Sequence, residues 1–253
     1  MVTRTQILKM MQIALIWFGL TGAARAGEVT VAVASNFLTT VQKIADDFTR
    51  HSGHKVHIAN GSTGTLYAQV KIGAPYDVYL SADQARVLLL AKSDGLLDGA
   101  HKPYALGRLV LYAPAKGILA KDIPNSLSQT AVHHFAMADP DLAPYGRAAY
   151  QVLSHLDLTD MIRQKAVLGG NIGQTFGFVK TGNAPVGFVA LSQALSVGGD
   201  WLEMPANSYA PIVQEAGLLA HAKGNAAAKA FYDHLSSAAV KQTLIQSGYG
   251  VPE

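Results

Sequence analysis

The chain has 253 residues, with 20 Lys and Arg against 17 Asp and Glu, 24 Gly and no Cys. The lack of cysteine excludes disulfides, a thiolate metal centre and a lipid-bearing cysteine. Arg4, Lys9 and Arg25 fall in the first 26 residues and leave 17 bases against 17 acids beyond them, a neutral balance that gives no ground for a nucleic-acid partner.

The first predicted element is a leader. Arg4 and Lys9 precede an apolar run, Met10 to Leu20, and small residues end at Ala24-Arg25-Ala26, the order of a secretory signal peptide with cleavage expected after Ala26. The apolar run is shorter than the roughly 20 residues that a membrane-spanning helix needs. Export to the periplasm of a mature chain of about 227 residues is therefore expected. That length suits two lobes, although one larger domain also fits.

Strand and helix signals then alternate, the mark of an α/β protein. Residues 29–34 read as a strand, and Phe37, Val41, Ile44, Ala45 and Phe48 keep helical spacing up to a stop at Gly53. Residues 55–59 read as a strand, 60–64 as a turn, 65–72 as a helix and 76–80 as a strand, with a further helix opening at Ser81-Ala82-Asp83. Residues 107–113 form a strong strand signal, and 116–130 are polar enough to be irregular. The pattern resumes with a strand at 134–138, a turn at 139–146, and a helix carrying Ala148, Ala149, Val152, Leu153 and Leu156. Asn171 opens another helix, 186–190 is a buried strand, 205–211 a second crossing, 212–220 a strand, and the last segment is helical. The expected architecture is two lobes, each a mixed, mainly parallel sheet flanked by helices, with a ligand cleft between them. Residues 27–108 plus 211–253 are assigned to lobe I and 109–210 to lobe II.

Four helices start with donor-rich turns in place of acidic ones: Ala34-Ser35-Asn36, Gly61-Ser62-Thr63-Gly64, Ala143-Pro144-Tyr145-Gly146 and Asn171-Ile172-Gly173. The first N–H groups of a helix have no intrahelical partner and carry partial positive charge, so an oxyanion can be bound there without lysine or arginine. Any one such turn is ordinarily just an N-cap. Together they gain weight, because strand-to-helix turns lie at the carboxyl ends of parallel strands, where open α/β sheets place ligands.

The runs VAVASNFLTTVQKIADDF, GSTGTLYAQVKIGAPYDVYLSADQ, ADPDLAPYGRAAYQVLSHL, GNIGQTFGFVKTGNAPVGFVAL and AKAFYDHLSSAAVKQTLIQSGYGV resemble, in order, the periplasmic molybdate-binding proteins of ABC transporters, type II periplasmic binding proteins. The resemblance spans nearly all of the mature chain. It implies a two-lobe fold and a ligand held by main-chain amides and hydroxyls from both lobes. Carried over, it points to Ser35 and Asn36, to Thr63, and to the main-chain amides of Tyr145 and Ile172. It also implies a permease partner at the inner membrane, a monomer, no cofactor, and molybdenum only as molybdate, with tungstate as a second ligand. At Ala190 some members place a ligand-contacting tyrosine, so that contact is expected to be absent here, or replaced by Asn36 or Tyr145.

A site made wholly of donors suits an anion fully deprotonated at neutral pH, since N–H and O–H groups cannot accept a ligand proton. Molybdate, tungstate and sulfate qualify. Phosphate would want a carboxylate acceptor, and Asp139 and Asp141 lie close enough in sequence to keep that alternative open. An enzyme on a related fold ranks last, because G-x-S-x-G, P-loop and H-E-x-x-H motifs are all absent. His51, His54 and His57 are spaced like zinc ligands, but Gly53 interrupts their helix and they are expected to diverge. The tyrosines form no stacking stripe for nucleic acid.

Overall fold

The computed structural model describes residues 26–252, so residues 1–25 of the expected leader lie outside the described residues. β1 (Glu28–Ala34) is rich in β-branched residues and buried along most of its length. A 3₁₀ turn over Ser35–Phe37 leads from it into α1 (Leu38–Ser52), which buries Val41, Ile44, Ala45 and Phe48 on one stripe. The helix ends at Gly53, whose φ of 72° is the left-handed conformation that glycine adopts at little cost. β2 (Lys55–Gly61), α2 (Thr63–Lys71), β3 (Val78–Ser81), α3 (Gln84–Ala91) and β4 (Leu96–Gly107) follow.

After Arg108 the chain begins a second sheet with β5 (Leu109–Ala113). The segment expected to be irregular contains a short helix, α4 (Ile123–Ser128), capped by the Asp122 carboxylate, which accepts the Asn125 N–H at 2.8 Å. Next come β6 (Phe135–Ala138), α5 (Pro144–His155), α6 (Thr159–Lys165), β7 (Ala166–Gly169), α7 (Ile172–Lys180), β8 (Val186–Ala190), α8 (Leu191–Val197) and β9 (Asp200–Glu203). β10 (Ile212–Leu219) returns to the first sheet, and the chain closes with α9 (Ala226–His234) and α10 (Ala238–Gln246). Ser237 caps α10 and separates two helices where the sequence reads as one helical segment.

The sheets run in the orders β2-β1-β3-β10-β4 and β7-β6-β8-β5-β9. In the first, β1 pairs in parallel with β2 and β3, and β10 is antiparallel to β3 and β4. In the second, β6 pairs in parallel with β7 and β8, and β5 is antiparallel to β8 and β9. Helices flank both mixed sheets, giving the two-lobe architecture expected from the alternating pattern. The chain crosses between sheets at Arg108 and again between Glu203 and Ile212. Each sheet packs on its own apolar core: Val31, Val33, Phe37 and Phe231 in the first, Leu111, Phe135, Phe188 and Leu153 in the second.

The topology places β1, β2, β6 and β7 so that each delivers a helix start at its carboxyl end: Ser35, Thr63, Pro144 and Ile172 respectively. Gly146 makes the third of these compact, because a Cβ there would fall 2.3 Å from the Ala138 carbonyl oxygen.

Candidate functional site

The four helix starts meet between the lobes around a small cavity. Ser35, Asn36, Thr63, Tyr145 and Ile172, the residues singled out from the sequence, all line it, together with Ser62. Every other lining residue is Ala, Gly or Pro. All five are buried, from 1% exposure at Thr63 and Tyr145 to 6% at Ser35, so the lobes are closed over them. Gly173 allows that closure: its missing side chain would lie 3.1 Å from the Ser35 Cβ in the facing lobe.

Each donor has a definite status. Thr63 and Ile172 are the first residues of α2 and α7, and Tyr145 is the second of α5, so their N–H groups precede the intrahelical ladder. The caps behind them are filled, with Ser62 Oγ accepting Thr65 N–H at 3.0 Å and Asn171 Oδ1 accepting Gln174 N–H at 2.9 Å. Thr63 Oγ1 accepts the Ala82 N–H at 3.1 Å, which leaves its own proton for the cavity. The Ser35 hydroxyl donates to the Gly61 carbonyl at 2.8 Å, so Ser35 must turn away from that partner to donate a side-chain bond to a ligand.

The Asn36 side-chain amide already has protein partners. It donates to Gln214 Oε1 at 3.0 Å and to the Tyr249 hydroxyl at 3.2 Å, while its Oδ1 is buried without a hydrogen-bond partner. Tyr145 likewise points its hydroxyl to Gln214, whose Nε2 donates to it at 3.3 Å. Both side chains are thus engaged by Gln214, one from each lobe. Ala190 is fully buried, and its N–H donates to Gln193 Oε1 at 3.0 Å.

Behind the seats lies a polar layer that the sequence reading missed. Tyr104 donates to Gln214 Oε1 at 2.8 Å, Tyr249 donates to the Asn36 carbonyl at 2.8 Å, and the Ser192 hydroxyl lies 2.8 Å from that of Tyr249. One signal was available: Gln214 and Glu215 interrupt the otherwise apolar strand IVQEAGLL. Burial pushes the Tyr104 and Tyr145 hydroxyls well above their ordinary value of 10.0. The same cause raises Tyr249 to about 12.

These tyrosines are neutral across the physiological range, and no cavity-lining side chain carries a charge. A folded-state pKa above the unfolded one gives stability that is complete below the unfolded value and is lost as pH rises through the folded one. Ligand affinity is therefore expected to be flat from about pH 6 to 9, with the stability contributed by these neutral tyrosines lost only above about pH 10. Calorimetry and thermal melts across that range check both, and a titration of affinity near neutrality would contradict the site as drawn.

Asp139 and Asp141 are not among the lining residues. The Asp139 carboxylate accepts the Asp141 N–H at 2.9 Å within its own turn. The spaced histidines diverge as expected: His51 contacts the Asp47 carbonyl, His54 accepts the Gly27 N–H, and His57 contacts Glu28.

Two α/β lobes closed on a cavity lined by neutral donors define a solute-binding protein. The chain belongs to the bacterial extracellular solute-binding protein family, whose model matches residues 29–250. Among its relatives is the molybdate-binding protein ModA of Azotobacter vinelandii, 41% identical over 90% of this chain and 92% of that protein. ModA of Rhodobacter capsulatus is 40% identical over 91% of each. The solved periplasmic molybdate-binding protein of Azotobacter vinelandii superposes with a TM-score of 0.84 at 35% identity, covering 89% of this chain and 100% of that one. The sulfate-binding protein SubI of Mycobacterium tuberculosis shares the fold, with a TM-score of 0.72 at 13% identity over 90% of this chain and 88% of that one.

Proposed function

We propose that this chain is the binding component of an ABC importer and captures molybdate, with tungstate as a second ligand, through Ser35, Asn36, Thr63, Tyr145 and Ile172. One observation carries the reading: the cavity lining offers N–H and hydroxyl donors from both lobes and no carboxylate or cation. A permanent dianion finds only donors there, whereas the proton of hydrogen phosphate would meet no carboxylate. Relatives at about 40% identity named for molybdate support molybdate over sulfate.

In this reading residues 27–108 with 211–253 form lobe I and 109–210 lobe II, hinged at the two crossings. An open form admits the anion, and closure completes contacts that neither lobe makes alone. The protein acts as an exported monomer in the periplasm, after cleavage behind Ala26, and presents its closed form to an inner-membrane permease. None of the described residues forms a helix long and apolar enough to cross a membrane.

A melting screen of the purified mature chain tests the proposal, because a ligand that binds only the folded state raises the melting temperature. Molybdate and tungstate are expected to raise it, and phosphate is expected to leave it unchanged. A rise with sulfate alone would reassign the ligand, and no rise with any oxyanion would overturn the assignment as a binding protein for oxyanions.

A further inference from the structure

The lobes are joined at one edge of the cavity by contacts that touch no ligand-facing group. α3 begins at the Asp83 cap, where Oδ1 accepts the Arg86 N–H at 3.1 Å. The other oxygen of that carboxylate pairs with the Arg86 guanidinium. Both side chains are only 14% exposed, so the guanidinium is fixed within lobe I and not left as a free surface cation. From there Nη2 reaches across the cleft and donates to the Asp141 carbonyl at 3.0 Å. One residue further along the receiving turn, the Leu142 carbonyl accepts the Gly64 N–H at 3.0 Å from the start of α2.

The receiving turn is built to present those two oxygens. Asp139 gathers its N–H groups, with Asp141 N–H on the carboxylate at 2.9 Å, and Leu142 and Ala143 N–H on the carbonyl at 3.3 and 2.9 Å. With its donors turned inward, the turn leaves the Asp141 and Leu142 carbonyls as acceptors at its rim. α5 starts two residues beyond Leu142, so the same turn also holds the Tyr145 seat. Gly64 immediately follows Thr63, and a Cβ on it would stand 3.1 Å from both Arg86 Nη2 and the Leu142 oxygen. A side chain there would have to push both atoms back by a few tenths of an ångström.

We propose that Arg86 and the Gly64 N–H form a clasp that sets how long the closed protein holds its anion, with Arg86 a positioning residue that never touches the ligand. The clasp rests on the molybdate reading above. Both bonds cross between lobes, so they exist only after closure and must break before the ligand can leave. They therefore act on release and not on capture. The cation also supplies what the neutral cavity lacks, a charge-assisted bond between lobes. Its partner carboxylate sits on the same helix start, so closing brings no unpaired charge to the site.

The test follows radiolabelled molybdate during a chase with unlabelled molybdate, in the wild type, Arg86→Met and Gly64→Ala. The second variant wedges the same contact without changing any charge. Release from both variants is expected to be about tenfold faster, equivalent to about 1.4 kcal/mol. Capture by Gly64→Ala should stay within about twofold of the wild-type rate, a division between the two rates that general destabilisation would not produce. Arg86→Lys, which keeps the charge but loses the planar fork, should fall between wild type and Arg86→Met. Wild-type release from both variants would overturn the clasp and leave the molybdate reading standing. A wild-type protein that retains no label would overturn that reading and the clasp with it.

Discussion

Replacing Thr63 with alanine is expected to weaken molybdate binding roughly 10- to 150-fold, the equivalent of the roughly 1.5–3 kcal/mol carried by a hydrogen bond to a charged group. The size of the effect follows from the position of the hydroxyl. Its oxygen already accepts the Ala82 N–H at 3.1 Å, so its proton is free for the cavity, unlike that of Ser35, which goes to Gly61. Alanine also orphans the buried Ala82 N–H, so the empty protein should melt lower, by about 1–3 kcal/mol in stability. Two further variants separate affinity from folding. Thr63→Ser keeps the hydroxyl and should retain both properties, while Thr63→Val keeps the volume and should lose both. If calorimetry finds Thr63→Ala within about twofold of wild type, the hydroxyl does not contact the anion and the Thr63 main-chain N–H is left to act alone.

The contrast between Thr63 and Asn36 shows what the sequence could and could not convey. The helix starts were legible because each is a local event: a β-rich run, two or three small polar residues, then helical spacing. Which proton of a side chain remains free is a tertiary matter. The Asn36 amide is engaged by Gln214 and Tyr249, 178 and 213 residues further along the chain, and no local pattern reports such partners.

The missed strands have a different cause. β7 and β9 have four residues each and are largely exposed or half-buried, so they carry no run long enough to read. β4 contains Asp98, Gly99, Lys102 and Pro103, residues disfavoured in strands. It can contain a proline because it lies at the edge of its sheet, where its outer side is bridged at Leu106 to Gly250 and faces no neighbouring strand of that sheet. Residues 107–113 read as one strand because the β-rich run Leu109 to Ala113 follows directly on Gly107 and Arg108, yet the chain changes sheets at Arg108. That break is set by packing two cores against each other, which hydropathy alone does not register.

The second large effect is expected at Gln214, where leucine should lower the melting temperature by on the order of 10 °C and weaken anion binding at the same time. Gln214 is fully buried on β10 and joins three partners: its oxygen accepts from Asn36 at 3.0 Å and Tyr104 at 2.8 Å, and its amide donates to Tyr145 at 3.3 Å. Leucine is close in size but satisfies none of them. Each buried polar group left without a partner costs about 1–3 kcal/mol, against a total stability of roughly 5–15 kcal/mol. Binding should suffer for a separate reason. Asn36 and Tyr145 line the cavity, and Gln214 holds both side chains, one in each lobe. Gln214→Glu distinguishes the two losses. Its carboxylate can accept from Asn36, Tyr104 and Tyr145, so the variant should fold, but it sets a negative charge behind the anion seat. A Gln214→Glu protein that melts near the wild type yet binds molybdate at least tenfold more weakly would place the residue in site electrostatics as well as in folding. If Gln214→Leu melts within about 2 °C of wild type, the layer behind the seats contributes little to stability, and the anion seats are held by their helix caps alone.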